Sequence, residues 1–169
     1  MNPRFKHLRS THSARPSMPE PAGPRGWSLV APVRVLVVED FVPFRQFILS
    51  TLAAKPDINV VGEVSNGFAA VSKSLELQPD LILLDIGLPG LDGINAARQI
   101  RHLAPDSKII FLSQESSADI VQEALRLGAR GYVLKIKAAS ELLRALEAVI
   151  LGKTFVSSTI DSQQVPLTT

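Results

Sequence analysis

Residues 81–93 read Leu-Ile-Leu-Leu-Asp-Ile-Gly-Leu-Pro-Gly-Leu-Asp-Gly, and the reading of this stretch decides the fold. Its first four residues are apolar without alternation, as in a strand of a parallel sheet covered on both faces. Asp85 closes the run, and Pro89-Gly90 and Asp92-Gly93 supply tight turns behind it. The same pattern recurs outward from here. Apolar runs at residues 33–38, 58–64, 108–112 and 132–134 alternate with stretches of helical period. Phe44, Phe47, Ile48, Thr51 and Leu52 mark a first helix, and residues 68–77 a second. Ile94, Ala97 and Ile100 mark the third, and Ile120, Val121, Ala124 and Leu125 the fourth. Leu142, Leu143, Leu146 and Ile150 mark the fifth, each stripe following i, i+3, i+4 spacing. Pro56, Asp57, Pro79 and Pro105 interrupt where this alternation requires it, and Gly128 and Gly152 stand in C-cap position. The expected architecture is α/β, a (βα)5 doubly wound parallel sheet with strand order 2-1-3-4-5.

The chain has 169 residues, 46% of them hydrophobic, enough for one compact domain with tails. It has no Cys, which excludes a disulfide framework, a thiolate metal site and a cysteine nucleophile. No apolar run approaches the roughly 18 residues of a membrane span. Charge is unevenly placed. Residues 1–32 carry 5 Lys and Arg against Glu20, while the remainder holds 13 basic and 15 acidic residues. The overall basicity therefore belongs to the start of the chain, which also holds 6 of the 12 prolines. We read residues 1–32 as a disordered, basic, Pro-rich leader, 33–153 as the folded domain, and 154–169 as a linker or tail. The leader lacks the apolar core of a secretory signal, and a cytoplasmic protein is expected. Trp27, the single Trp, is a candidate to pack back on the domain.

A doubly wound sheet binds its ligands outside the carboxyl ends of the strands. Strand one ends in Glu39-Asp40, strand three in Asp85, strand four in Ser113 and strand five in Lys135. Each has an ordinary reading as a cap, turn or solvated residue, and Glu39-Asp40 stands where an N-cap belongs. Their convergence on one crevice is what points to chemistry. Two carboxylates about 4 Å apart repel by roughly 4 kcal/mol at an effective dielectric near 20, so three need a cation or shifted pKa values. All-oxygen ligands suit a hard ion such as Mg²⁺. Lys135 adds a second positive charge and Ser113 a hydrogen-bond donor, the parts needed for phosphoryl transfer. His7, His12 and His102 lie away from the strand ends, but a carboxylate that is itself the nucleophile needs no base.

Val37-Val38-Glu39-Asp40, the stretch from Leu84 to Gly93, Phe111-Leu112-Ser113 and Gly131-Tyr132-Val133-Leu134-Lys135 together resemble the receiver domain of bacterial two-component response regulators, of the LuxR/NarL type. The resemblance implies a flavodoxin-like fold in which Asp85 accepts a phosphoryl group from a sensor histidine kinase. It implies that Asp40 binds Mg²⁺ directly and Glu39 through water, with Asp85 and the Gly87 carbonyl completing the protein ligands. Ser113 and Lys135 would contact the phosphoryl oxygens, and Tyr132 matches the aromatic that turns inward with the hydroxyl residue. A shift of the helix 4–strand 5–helix 5 face would follow, and a homodimer through that face is left open. Gln114 and Glu115 border the site. Ile136 stands where many receivers have proline after the lysine, so a trans bond is expected there.

A LuxR/NarL-type chain carries a helix-turn-helix output domain after such a linker, linking receivers to transcription regulation. The 169 residues include none, and either a natural single-domain regulator or a chain cut at the linker fits. They are expected to bind neither DNA nor membrane, and to catalyse only their own phosphorylation and dephosphorylation. Two rivals remain: a Mg²⁺-dependent aspartyl-phosphate phosphotransferase or phosphatase, and a pseudo-receiver that binds partners without phosphorylation. A nucleotide cofactor is disfavoured, because neither a dinucleotide Gly pattern nor a Walker loop follows any strand.

Overall fold

Apolar alternate residues of each central strand are buried on opposite faces, which explains the absence of polar alternation in the sequence. The computed structural model describes residues 31–160. In chain order these form β1 (Val33–Val38), α1 (Val42–Ala53), β2 (Ile58–Val64), α2 (Gly67–Leu77), β3 (Leu81–Asp85) and α3 (Gly93–Leu103). There follow β4 (Lys108–Ser113), α4 (Ala118–Arg126), β5 (Gly131–Leu134), a 3₁₀ turn at Lys135–Lys137, α5 (Ala138–Ile150) and β6 (Phe155–Val156). All pairings are parallel and the order is β2-β1-β3-β4-β5-β6. Leu36, Val38, Ile82, Leu84 and Phe111 join one core with residues of α2, α3 and α4. Val35, Val37, Leu83, Ile110 and Leu112 join the other with residues of α1 and α5. The doubly wound expectation holds. Gly128 (φ 90°) and Gly152 (φ 80°) do adopt the left-handed conformation expected of residues that follow a helix C-cap.

The segment behind Asp85 is tightly built. Asp92 caps α3, its carboxylate accepting from the Asn95 N–H at 2.9 Å, and the Gly93 N–H donates to the Ile86 carbonyl at 2.9 Å. A Cβ on Gly93 would lie 2.1 Å from the Asp85 carbonyl oxygen and 2.8 Å from the Ile86 Cα. Gly93→Ala therefore has to push α3 away from the end of β3. It is expected to cost about 1–3 kcal/mol, read as a lower urea midpoint at unchanged m-value.

The sheet continues beyond the five expected strands. The Phe155 N–H donates to the Arg130 carbonyl and the Ser157 N–H to the Tyr132 carbonyl, both at 2.9 Å, and Ile160 is buried. Residues 154–160 are thus part of the domain and not a linker. A strand of two residues is too short to show a period in sequence, yet it covers the edge that β5 would otherwise expose. The remaining tail, 161–169, and residues 1–30, with Trp27 and nearly all of the Pro-rich leader, lie outside the described residues. Among the described residues, no helix is long and apolar enough to cross a membrane.

Glu141 of α5 closes this extension. Its buried carboxylate accepts from the hydroxyl of Ser157, from the hydroxyl of Ser158 at 2.7 Å and from the Ser158 N–H at 3.2 Å. Burial alone pushes its carboxyl up, but these bonds and the charge of Lys137 outweigh it, and the carboxyl lies below its ordinary value of 4.5. A carboxyl lowered by folding stabilises fully above its unfolded value, and that contribution is lost as pH falls through the lower folded value. Acid unfolding curves should therefore show a loss of stability below about pH 4.5 that Glu141→Gln flattens.

Candidate functional site

Strand ends place the site. Glu39 follows β1 and is wholly buried, while Asp40 beside it is exposed. Asp85 and Ser113, the last residues of β3 and β4, are 3% and 2% exposed. Lys135 opens the 3₁₀ turn after β5 and reaches back across the sheet edge. Its Nζ lies 3.2 Å from Asp85 Oδ2 and donates to Glu39 Oε1 at 3.1 Å. It is also 2.8 Å from Glu39 Oε2, a close charge contact without hydrogen-bond alignment, so this buried oxygen has no directed donor. The ring of Phe44 lies under the same ammonium, 5.0 Å from Nζ to the ring centroid.

The backbone fixes the acids. The Phe41 N–H donates to Glu39 Oε1 and the Gly87 N–H to Asp85 Oδ1, each at 3.0 Å. The Arg45 guanidinium donates to the Glu39 carbonyl at 2.7 Å, fixing the turn into α1. The cap of α1 is Phe41 and makes no side-chain cap bond, so Glu39 and Asp40 are not the N-cap pair their position suggested. Their side chains serve the cleft instead. That cleft, of about 500 Å³, is lined by Asp40, Phe44, Asp85, Ser113, Glu115 and Lys135 among others. A groove of similar size lies at the opposite sheet edge beside Arg101, Lys108 and Arg130, but the clustered acids are not there. Charge, not volume, singles out the first.

Burial pushes the Asp85 carboxyl above its ordinary value, with the Lys135 charge and the Gly87 N–H opposing. Burial likewise raises Glu39, opposed by Lys135 and reinforced by the negative charge of Asp85. Each of Glu39, Asp40 and Asp85 offers a carboxylate oxygen within 4.8 Å of the others. The set is all oxygen and crowded, with Glu39 and Asp85 pushed toward protonation by burial, and it contains one buried oxygen without a directed donor. These residues fit a hard divalent cation.

Ser113 and Tyr132 meet around one backbone segment. Ser113 Oγ accepts from the Glu115 N–H at 2.9 Å, and the Tyr132 hydroxyl donates to the Glu115 carbonyl at 2.7 Å. The Tyr132 ring is fully buried, in the inward position, and burial raises its phenol above the ordinary value. All the residues singled out at the strand ends are brought together, and Gly87 and Gln114 line the same cleft. Ile136 is 88% exposed and follows a trans bond, as expected. Sequence reasoning missed the contribution of Phe44 and Arg45. Phe44 carries the helical spacing of a core residue, and nothing in that spacing marks a ring that will underlie an ammonium.

The family model for the response regulator receiver domain matches residues 35–147. The chain belongs to this family. The transcriptional regulatory protein LiaR of Bacillus subtilis is 38% identical to this receiver over 128 residues, covering 76% of the chain and 61% of LiaR. The chemotaxis protein CheY of Thermotoga maritima is 36% identical over 116 residues, covering 69% of the chain and 96% of CheY. Among solved structures, a LuxR-family two-component response regulator from Aurantimonas sp. SI85-9A1 superposes with a TM-score of 0.74 at 29% identity, covering 80% of this chain and 96% of that one. The receiver spans about three fifths of the length of LiaR and nearly all of CheY.

Proposed function

We propose that this receiver is a phosphoacceptor switch that takes a phosphoryl group onto Asp85 from a phosphohistidine of a sensor kinase. The observation that carries the reading is Asp85 itself, a buried strand-end carboxylate that opens on the cleft, with Lys135 at 3.2 Å and two further acids beside it. An Asp85 oxygen attacks phosphorus, the P–O bond forms as the P–N bond breaks, and the histidine leaves. Lys135 and Ser113 stand where they can meet the phosphoryl oxygens, and transfer of this kind depends on such positioning and charge neutralisation. Asp40, Asp85 and, through water, Glu39 would hold Mg²⁺ with the Gly87 carbonyl. Bound there, the ion supplies positive charge to the phosphoryl group and relieves the repulsion among the acids. Catalysis by this chain is limited to its own phosphorylation and dephosphorylation. Incubation with acetyl phosphate and Mg²⁺ tests this: intact mass should gain one phosphoryl group, and a chain that stays unmodified under all donor concentrations refutes it.

The added group carries a charge of roughly −1.5 to −2 and draws Ser113 and Lys135 toward it, biasing an existing equilibrium of the loops after β4 and β5. Tyr132 is the switch residue whose inward position accompanies that bias. The protein works in the cytoplasm, and its partners are a sensor histidine kinase and, through the α4–β5–α5 face, a second copy of the chain. In this chain β6 forms part of that face.

Mg²⁺ should raise the melting temperature of the unphosphorylated protein. A ligand at 100 times its Kd stabilises by about 2.7 kcal/mol. Asp40→Asn should abolish most of this gain while leaving the metal-free protein folded, because Asp40 is exposed. Calorimetry with and without a chelator is the check.

A further inference from the structure

Glu141 is a buried carboxylate that the phosphorylation chemistry does not use. Its direct partners are two hydroxyls and one N–H, not a cation. Both hydroxyls belong to the segment that leaves α5. Ser157 occupies the centre of this arrangement. Its N–H donates to the Tyr132 carbonyl at 2.9 Å, its Oγ accepts from the Leu134 N–H at 2.9 Å, and its hydroxyl donates to Glu141. Leu134 is the residue before Lys135, and Tyr132 is the aromatic held inward over Glu115. A side chain of the exit segment thus completes the hydrogen bonding of the strand that carries both.

We propose that Ser157 and Glu141 are positioning residues for the phosphorylation site: they seat residues 155–160 against β5, holding Tyr132 inward and Lys135 toward Asp85, so that seating and pocket occupancy favour each other. The inference rests on the phosphoacceptor reading above. Withdrawal of the segment frees the Leu134 N–H, the Tyr132 carbonyl and the Glu141 carboxylate at once. A half-withdrawn segment leaves that carboxylate buried without donors, which is costly, so the clasp has two arrangements rather than a continuum. In this structure the seated segment coexists with Tyr132 inward and Lys135 in the cleft. A ligand that prefers Lys135 and Ser113 in place therefore tightens the segment. By linkage, the seated segment tightens the ligand by the same factor.

Amide hydrogen exchange on the full chain tests this, with Mg²⁺ alone and with Mg²⁺ plus beryllofluoride as the phosphoryl mimic. Exchange at residues 155–160 should slow by at least about fivefold when the mimic binds, the lower end of ordinary coupling between sites. Ser157→Ala should remove that difference and weaken beryllofluoride binding by a similar factor, whereas Ser157→Thr, which keeps a hydroxyl, should restore both. Should Ser157→Ala fail to fold, Ser158→Ala, which removes one hydroxyl from an exposed residue, should move both readouts in the same directions by less. A purely structural clasp predicts a lower melting temperature in Ser157→Ala with the beryllofluoride response intact, and that result overturns the proposal. So does protection of residues 86–92 and 114–117 by the mimic with residues 155–160 unaffected in the wild type. If neither region responds, the phosphoacceptor reading itself fails and takes the clasp with it.

Discussion

Asp85→Asn abolishes labelling by acetyl phosphate in the presence of Mg²⁺, by at least about a thousandfold in rate, the scale on which losing a nucleophile is felt. An amide oxygen at that place lacks the charge to attack phosphorus, and the variant also removes one ligand oxygen charge from the acid cluster. The fold has no reason to suffer. Asn occupies nearly the same volume, and its Oδ1 can still accept from the Gly87 N–H as Asp85 does at 3.0 Å. Lys135 keeps Glu39 as its ion partner, at 2.8 Å and 3.1 Å. The melting temperature in metal-free buffer should therefore not fall, and labelling that survives in a well-folded Asp85→Asn protein would place the acceptor elsewhere.

Lys135→Met should have the second largest effect, and on two quantities at once. The ammonium is the cation among three acids and is positioned for the phosphoryl oxygens. Removing one such preorganised electrostatic partner typically costs about 10²–10³ in rate. The acceptor itself remains, so the residual label should still map to Asp85. Stability should fall as well. Glu39 is wholly buried, and taking away its cation leaves a charge uncompensated, typically about 3–5 kcal/mol unless the carboxyl takes up a proton. Because burial already raises both Glu39 and Asp85, loss of Lys135 shifts them further in that direction. Chemical denaturation of Lys135→Met should accordingly show stability increasing as pH is lowered toward mildly acid values, where the crowded carboxyls protonate in the folded state. Mg²⁺ should recover part of the loss. Unchanged stability and rate would mean that Lys135 is a solvated strand-end residue and nothing more.

What the sequence disclosed, and what it withheld, follows from how each feature is encoded. β1 and β3 were legible because both faces of a central parallel strand are buried, so Val35 to Val38 and Leu81 to Leu84 run apolar with no polar alternation. The site was legible through topology: once the strand order is known, Glu39, Asp40, Asp85, Ser113 and Lys135 have to share an edge. β6 was not legible, since two residues carry no period and its register is set by pairing with Gly131 and Tyr132, far away in sequence. The same holds for Glu141, whose helical position reads as an ordinary acidic residue in the first turn until the returning segment buries it. Tyr132 could be named as a switch by resemblance, but its inward rotamer is a property of packing around Glu115 and not of residue order.

The central claim is that an acyl phosphate forms on one particular carboxylate. Borohydride reduction of the acetyl phosphate-treated protein, followed by peptide mass spectrometry, reads this directly, because reduction of an aspartyl phosphate leaves homoserine at the acceptor. Conversion at Asp85 alone, dependent on Mg²⁺, is the predicted result. Conversion at Asp40 or at any other carboxylate, or none at Asp85 while the protein takes up phosphate, contradicts it.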